Sequence, residues 1–499
     1  MNTLYCLRRA KELHGATVAS YRDGQADMTW NEFYDRVYRA AAFFRDLGIQ
    51  KGDRVAVWML NCHEYLELYY ATAITGIVIV PLNTRWHESD VEFTLRDSDS
   101  VALIVDDKFA PLVAGLKVNL KRVIYVGSGE TPARMIKYSY SESKYRFDEP
   151  DSEDLVGLFY TSGTTGGPKG VMLTHRNLWA NLVHSMLVNL RKATWLHAAP
   201  MFHLADLGAI YTITANGGTH CFMPSFDPDV CMQLIERYRV TETVLVPTML
   251  NMVIHSPNFA RHDLSSLANF IYGASPMPTP LVKTAMSLLP NTRFRQGYGM
   301  TEAAPLLTIL EYEDHDGEAI ASAGKPVFGT EIRVVDDFDR DVPVGESGEI
   351  IARGANVMKG YWKRPEITAE VLRNGWLHTG DLGKFDANGF LYILDRKKDM
   401  IKPGGENVYT PEVESMVAAH PAVLEVAVIG VPDSKWGETI RAVVTPRPGT
   451  SLTADELMSW CRERMTHFKC PTSVVFVDAL PKGGTGKIQK GVLREKYGT

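Results

Sequence analysis

Short apolar runs alternate with segments of helical spacing along most of the chain. Residues 28–47 predict an amphipathic helix. Phe33, Val37, Ala41 and Phe44 fall on one face, Thr29 and Glu32 form a capping-box pattern, and Gly48 ends the segment. Residues 54–60 then read as a strand, 64–73 as a helix and 76–82 as a buried strand, and strands at 101–105 and 122–126 continue the series. Residues 127–154 turn polar and read as an exposed connection. Beyond them helices are expected at 175–190, 204–215, 230–238 and 280–288. Strands are expected at 195–199, 219–223, 243–246, 269–272 and 292–295. Such alternation predicts an α/β fold. From 324 to 393, glycines and prolines punctuate β-like runs at 331–335, 348–352 and 390–393, which predicts a small β-barrel-like subdomain. After the charged run Asp395-Arg396-Lys397-Lys398-Asp399 come a helix (411–419), strands (424–431, 441–445), a helix (453–465) and a strand (473–477). The expected organisation is a large N-terminal domain of packed α/β sheets, residues 1–394, joined by a hinge to a small α+β C-terminal domain, residues 395–499.

Length and composition narrow this picture. A chain of 499 residues has room for two or more domains and a large core. It is 45% hydrophobic and 22% charged, an ordinary globular balance. A net charge of −6 argues against nucleic acid as the main partner. The longest apolar run, 71–82, is too short to cross a bilayer, and residues 1–15 do not read as a secretory signal. The six cysteines show no C-x-x-C spacing. Free thiols in a cytoplasmic setting are expected, without a zinc site.

One stretch departs from the alternation: Tyr160-Thr161-Ser162-Gly163-Thr164-Thr165-Gly166-Gly167-Pro168-Lys169-Gly170. It sets hydroxyls, glycines and one lysine between two apolar runs, and reads as a loop between strands. Glycine lets the backbone approach a ligand closely. Amides and hydroxyls then point at an anion, and Lys169 adds charge. A Walker loop is excluded residue by residue. Pro168 has no N–H to give, and Gly170 stands where a Ser or Thr should follow the lysine. A polar surface linker is the plainer alternative, but linkers seldom carry this lysine and proline between strands.

Four other stretches carry candidate chemistry. In Gln296-Gly297-Tyr298-Gly299-Met300-Thr301-Glu302, a tyrosine between glycines can lie against a flat base, and Glu302 can hold Mg²⁺. A strand-end turn with a helix cap reads equally well. In Trp376-Leu377-His378-Thr379-Gly380-Asp381, the aspartate suits a ribose, although turn aspartates are commoner. Lys402-Pro403-Gly404-Gly405 exposes backbone to a ligand or simply turns the chain. Pro481-Lys482-Gly483-Gly484-Thr485-Gly486-Lys487 presents a lysine on a glycine-rich loop, or is a solvated basic tail.

Together and in this order, these stretches resemble the signature set of the adenylate-forming superfamily of acyl-CoA synthetases, peptide-synthetase adenylation domains and firefly luciferase. The chain is most similar to stand-alone bacterial CoA ligases of fatty acids and of aryl acids of the feruloyl (hydroxycinnamoyl) type. The resemblance implies a two-step reaction: an acid attacks the α-phosphate of Mg-ATP to give acyl-AMP and pyrophosphate, and CoA then displaces AMP. It implies that Thr161, Ser162, Gly163, Thr164, Thr165 and Lys169 cradle phosphates. Lys487 bridges the acid and the α-phosphate, Thr301 bonds the α-phosphate, and Glu302 is the metal ligand. Gly273, Ala274 and Ser275 line the adenine and acyl pocket. Gly297, Tyr298 and Gly299 carry the adenine, and Asp381 and Arg396 hold the ribose. His203, in Ala199-Pro200-Met201-Phe202-His203, matches an aromatic gate. Asp395 is the pivot that brings Gly404 and Gly405 to the CoA thiol. Lys402-Pro403 replaces an apolar-Ser pair before those glycines, so no catalytic role follows for Lys402.

The implied partners are ATP, CoA and a small carboxylic acid, with Mg²⁺ as cofactor and a homodimer as the expected assembly. The segments that should line the acid pocket are apolar: Leu204, Leu207, Ile210, Ala303, Ala304, Leu306 and Leu307. A hydrophobic acid is expected, either an aliphatic chain or an aromatic ring. Asp206 stands beside the gate, where it could bond a phenol, face solvent or cap a helix. Other adenylate-forming activities, on amino or aryl acids or luciferase-like, stay open as alternatives. A non-catalytic AMP-binding protein is the alternative outside enzymes, and Lys487 and Glu302 speak against it.

Overall fold

The computed structural model describes residues 1–21, 27–127, 145–161, 168–188, 192–275, 277–482 and 488–498. They form two compact units. The first comprises Met1–Ile320, Gly324–Glu331 and Ala352–Leu377, and the second Ala321–Ala323, Ile332–Ile351 and His378–Thr499. Residues 321–323, 332–351 and 378–394, grouped above with the first domain, fall in the second unit under this division.

The first unit contains a seven-stranded sheet in the order Gly360–Tyr361, Lys169–Thr174, Leu155–Thr161, Val78–Pro81, Arg54–Trp58, Ser100–Asp106, Arg122–Val126. From Leu155–Thr161 onward neighbouring strands run parallel. Val55, Ala56, Val57 and Trp58 are all buried, the continuous apolar run of a strand covered on both faces. A nine-stranded sheet runs Lys325–Pro326, Leu306–Leu310, Arg293–Gly299, Asn269–Gly273, Glu242–Leu245, Thr194–His197, Thr219–Phe222, Val18–Ser20, Met28–Thr29. Thus the α/β expectation holds, with helices between the parallel strands.

Several boundaries move for local reasons. The first amphipathic helix spans Trp30–Asp46 and starts one residue after Thr29. The capping box is present: Glu32 N–H donates to Thr29 Oγ1 at 3.3 Å and Thr29 N–H to the Glu32 carboxylate at 2.7 Å. A cap residue has extended dihedrals, so Met28 belongs to a short strand instead of the helix. The strand expected to end at 295 continues through Gly299, so Tyr298 sits in a sheet and not in a loop. Its partner Leu306–Leu310 extends the ladder on the antiparallel side. Helices Leu4–His14, Glu88–Asp97 and Pro247–Ile254 were not anticipated. In Glu88–Asp97 only Val91, Thr94 and Leu95 are buried, too narrow a stripe to stand out in the sequence.

The second unit holds most of a four-stranded sheet, Thr330–Val335, Gly348–Gly354, Leu377–Phe385, Leu391–Arg396. A three-stranded sheet follows, Val423–Asp433, Gly437–Pro446, Ser473–Phe476, with helices Thr410–Ala418 and Ala454–Arg462. Asp395 and Arg396 continue the strand before them, because they pair with Leu382 and Asp381 across the ladder. All six cysteines are free thiols. Among the described residues no helix is long and apolar enough to cross a membrane.

The buried helix His63–Thr75 carries one charge inward. Glu67 is fully buried and takes both donors of a forked contact from Arg36, at 2.6 and 3.1 Å. Burial holds the Glu67 carboxyl above its usual range despite Arg36. Arg36→Met strands that charge and is expected to destabilise the fold by about 3–5 kcal/mol at neutral pH. Because the folded-state pKa lies above the unfolded one, protonation relieves the penalty. The deficit relative to wild type should therefore shrink as pH falls through the acid range, as read from denaturant midpoints at several pH values.

Candidate active site

The two ends of the hydroxyl-rich stretch lie on paired strands. Leu155–Thr161 pairs antiparallel with Lys169–Thr174, Tyr160 opposite Gly170 and Thr161 opposite Lys169. Ser162, Gly163, Thr164 and Thr165 lie outside the described residues. The base of the hairpin is tied down on one side by Asp97. Its carboxylate accepts from the Tyr160 hydroxyl at 2.7 Å and pairs with Arg364 at 2.7 Å, and its carbonyl accepts from Trp362 Nε1 at 3.0 Å. Burial and that hydrogen bond push the Tyr160 phenol up, so it stays a neutral donor. Gly170 leaves room for this ring: a Cβ there would lie 2.9 Å from Tyr160 Cζ.

A strap of chain, residues 355–362, joins this hairpin to the Gln296–Glu302 segment. Gly360 and Tyr361 pair with Met172 and Val171, and Trp362 N–H donates to the Gly170 carbonyl at 2.8 Å. On the other side Met358 N–H donates to the Glu302 carbonyl at 2.8 Å. Asn356 Nδ2 bonds the carbonyls of Ala303 and Leu306, each at 3.0 Å. The Tyr361 hydroxyl donates to Glu302 Oε1 at 2.8 Å, and its ring lies 5.5 Å from Lys169 Nζ. Hence the hairpin lysine and the buried carboxylate of Glu302 share one aromatic side chain.

The backbone before Glu302 is packed without room for side chains. Gly273 ends its strand at φ 157°, and a Cβ there would sit 2.1 Å from the Gly297 carbonyl oxygen. A Cβ on Gly299 would sit 1.9 Å from the Pro305 oxygen. Both glycines end strands that run parallel in the nine-stranded sheet, the end where α/β sheets hold ligands. Ala274, exposed, takes φ 63° as the chain leaves the strand toward the half-buried Ser275. Half-buried Tyr298 faces Thr308 in the ladder, and Thr301 opens a 3₁₀ turn that carries Glu302.

His203 is the residue just before helix Leu204–Ala215, and its ring packs at a tilt of 51° against Phe202 with centroids 4.3 Å apart. Asp206 on the next turn is fully buried, which corrects the solvent-facing and capping expectations. Its carboxylate pairs with His197 Nδ1 at 2.6 Å and accepts from Trp195 Nε1 at 3.2 Å. His197 Nε2 then meets His220 Nδ1 at 2.9 Å, and His220 Nε2 meets Thr214 Oγ1 at 3.2 Å. With both oxygens engaged by core groups, Asp206 is not placed to bond a phenol. Leu204, Leu207 and Ile210 likewise belong to the main core cluster.

Within the second unit, Asp381 and Arg396 are cross-strand neighbours joined by a 2.6 Å ion pair. Asp381 is buried, and its N–H donates to Thr379 Oγ1 at 3.1 Å. The carboxylate of Asp395 accepts from Arg396 N–H at 2.7 Å, Thr410 N–H at 2.6 Å and Thr410 Oγ1 at 2.9 Å. Burial raises its pKa, and Lys490 works against that shift. Lys490 itself reaches Thr410 Oγ1 at 2.6 Å and the Glu414 carboxylate at 2.7 Å. Gly404 and Gly405 take φ 60° and 92°, and Gly404 N–H donates to the Trp436 carbonyl at 2.9 Å. A bridge between Lys482 and Ile488 closes the loop that contains Lys487, and Lys487 lies outside the described residues.

A lysine-bearing pair of strands strapped to a buried carboxylate can be set against known families. Residues 7–362 match the AMP-binding enzyme family, and residues 412–487 match the AMP-binding enzyme C-terminal domain. The chain belongs to the AMP-binding, adenylate-forming enzymes. It is 42% identical to a feruloyl-CoA synthase of Amycolatopsis sp, over 99% of this chain and 98% of that one. It is 37% identical to a long-chain-fatty-acid–CoA ligase of Mycobacterium tuberculosis, over 94% of this chain and 93% of that one. The solved o-succinylbenzoate CoA synthetase of Bacillus subtilis, in complex with its acyl-adenylate intermediate, is 32% identical. It superposes at a TM-score of 0.89, over 98% of each chain.

Set against this family, Tyr361, Asn356 and Asp97 are the side chains that sequence reasoning missed. The signal was present in Lys359-Gly360-Tyr361-Trp362, where Gly360 takes φ 140° and a Cβ would lie 2.6 Å from Thr368 Cγ2. Gly273→Ala tests the close packing behind Tyr298. The strain of a non-glycine residue there costs at least about 1–3 kcal/mol, and relief of the overlap must move the Gly297 strand. A lower unfolding temperature together with weakened AMP binding by calorimetry is the expected result.

Proposed function

We infer that this protein is an AMP-forming carboxylic acid:CoA ligase, using ATP and CoA as substrates and activating a hydrophobic acid as its adenylate. The observation that carries this inference is the join at Tyr361, which bonds the Glu302 carboxylate at 2.8 Å beneath the hairpin lysine. The full-length likeness to a feruloyl-CoA synthase and to a fatty-acid CoA ligase supports it.

In the first step an oxygen of the acid attacks the α-phosphorus, and the bond to the β-phosphate breaks. Two anions meet there, so donors and positive charge must face the developing charge. Lys169 and the hairpin turn hold the departing pyrophosphate. Thr301 bonds the α-phosphate and Tyr298 lies against the adenine, whose edge reaches the Gly273-Ala274-Ser275 turn. Asp381, fixed by Arg396, accepts the ribose hydroxyls. Glu302 fits a magnesium ligand: it is a buried carboxylate oriented by one hydroxyl, and among the described residues no donor occupies its other oxygen. A magnesium ion held by Glu302 would offset negative charge on the nucleotide phosphates. Lys487 bridges the acid and the α-phosphate.

In the second step the CoA sulfur attacks the acyl carbonyl, and AMP leaves with the electron pair of the broken C–O bond. Lys487 is needed only before this, so the C-terminal segment must turn about Asp395. The carboxylate of Asp395 is bound to the first turn of Thr410–Ala418, so that helix is carried along as the backbone at 395 rotates. Gly404 and Gly405 then offer bare backbone to the thiol's approach. The free thiols fit a cytoplasmic enzyme.

Purified protein with ATP, magnesium, CoA and a hydrophobic acid should release AMP, and ADP formation would refute the assignment. Lys487→Ala should slow pyrophosphate release by roughly 100- to 1,000-fold or more. Thioester formation from supplied acyl-AMP should stay within about tenfold of wild type, and equal loss of both steps would sink the two-step division of labour.

A further inference from the structure

Helix His175–Val188 carries a polar column on one face. Asn177, Asn181 and His184 stand at i, i+4 and i+7, one face of the helix. The first is fully satisfied: Asn177 Nδ2 bonds the carbonyls of Ala355 and Val357 at 2.9 and 2.7 Å, either side of the asparagine that grips Ala303 and Leu306. The column therefore starts beside the chain that leaves Glu302. Asn181 comes next, against helix Leu204–Ala215. A Cβ on Gly208 would lie 3.0 Å from Asn181 Nδ2 and 3.3 Å from Pro305 Cδ, so these three converge. His184 stands one turn farther on, where a Cβ on Gly329 would lie 3.5 Å from its Nε2.

These last two side chains are buried and unsatisfied. Asn181 is 2% and His184 4% exposed. Asn181 Oδ1 and His184 Nδ1 are sealed from water and have no hydrogen-bond partner among the described residues. Asn181 Nδ2 has only a stretched 3.5 Å contact to the Gly208 carbonyl. Burial alone lowers the His184 pKa to about 4, so the ring is neutral at physiological pH. A buried polar atom without a partner costs about 1–3 kcal/mol, and native chains seldom leave two of them one helical turn apart.

We propose that Asn181 and His184 form the polar end of the acid pocket and hydrogen-bond an uncharged hydroxyl on the far end of the acid, selecting a hydroxyaryl acid over a plain alkyl chain. This rests on the ligase reading above. A hydroxyl both donates and accepts, which matches a neutral imidazole and a carboxamide, and neither side chain offers a charge to a second carboxylate or an ammonium. From Asn177 to His184 the helix rises about 10 Å, the scale of a phenylpropenoic acid laid along it. Asp206, the residue that sequence reasoning offered to a phenol, is already engaged in the core.

The test compares AMP release with 4-hydroxycinnamate, cinnamate and decanoate. Wild type should show kcat/KM at least about tenfold higher for the hydroxy acid than for cinnamate, the effect of one well-made hydrogen bond. His184→Phe should lower kcat/KM for 4-hydroxycinnamate about tenfold more than for cinnamate, chiefly through KM, and His184→Gln should restore part of the difference. A wild-type enzyme indifferent to the hydroxyl, or one that favours decanoate, overturns the proposal whatever the variants do. An equal loss on both aryl acids in His184→Phe, with an unchanged unfolding temperature, overturns it too. Absence of AMP with every acid, by contrast, strikes at the ligase reading itself.

Discussion

The first unit depends on one constraint, which is that residues 355–362 must satisfy two sheets at once. The strap completes the edge of the seven-stranded sheet by pairing with Met172 and Val171. It also supplies the donors that the turn after Glu302 lacks, through Asn356 and the Met358 amide. The turn Thr301–Ala303 bonds the Thr301 carbonyl itself, from Ala304 N–H at 3.2 Å, and leaves the Glu302 and Ala303 carbonyls to other donors; a buried carbonyl without a donor is costly. The strap relieves that cost and in doing so sets where Tyr361 stands. The hairpin lysine and the Glu302 carboxylate, from segments more than a hundred residues apart, are thereby held to one ring.

The same constraint explains the glycines. The strands that end at Gly273 and Gly299 approach neighbouring carbonyls to distances that exclude any Cβ. The ends of these parallel strands are bare backbone on either side of half-buried Tyr298. Asp97 performs a similar service under the hairpin, gathering Tyr160, Trp362 and Arg364 around one aspartate. The paired strands that flank residues 162–167 are thereby anchored at their base.

Much of this was legible in the residues. Periodicity located most helices and strands to within a few residues, and the apolar runs on either side of the hydroxyl-rich stretch are the paired strands Leu155–Thr161 and Lys169–Thr174. What stayed hidden was long-range. Nothing local in Asp206 says that His197, Trp195 and His220 will surround it, since those partners arrive from two other strands. Leu207 and Ile210 look like pocket lining by their neighbours in sequence and prove to be core by their neighbours in space. Helix Glu88–Asp97 escaped because its buried stripe is narrow. Tyr361 escaped because its role depends on a carboxylate 59 residues away.

Two buried polar clusters flank helix Leu204–Ala215, and the contrast between them separates structure from function. Asp206, His197, His220 and Thr214 form a continuous chain of partners, with burial holding His220 well below its usual pKa. Such a chain is complete without a ligand, and its work is to lock the first turn of the helix, and so the backbone of His203, onto the sheet. Asn181 and His184 are buried as deeply but incomplete. Packing alone would favour apolar side chains at both positions, since a leucine or phenylalanine there would leave no polar atom unpaired. On the proposal above, the substrate completes this pair, and the completed pair discriminates between acids that share a carboxylate and differ at the other end.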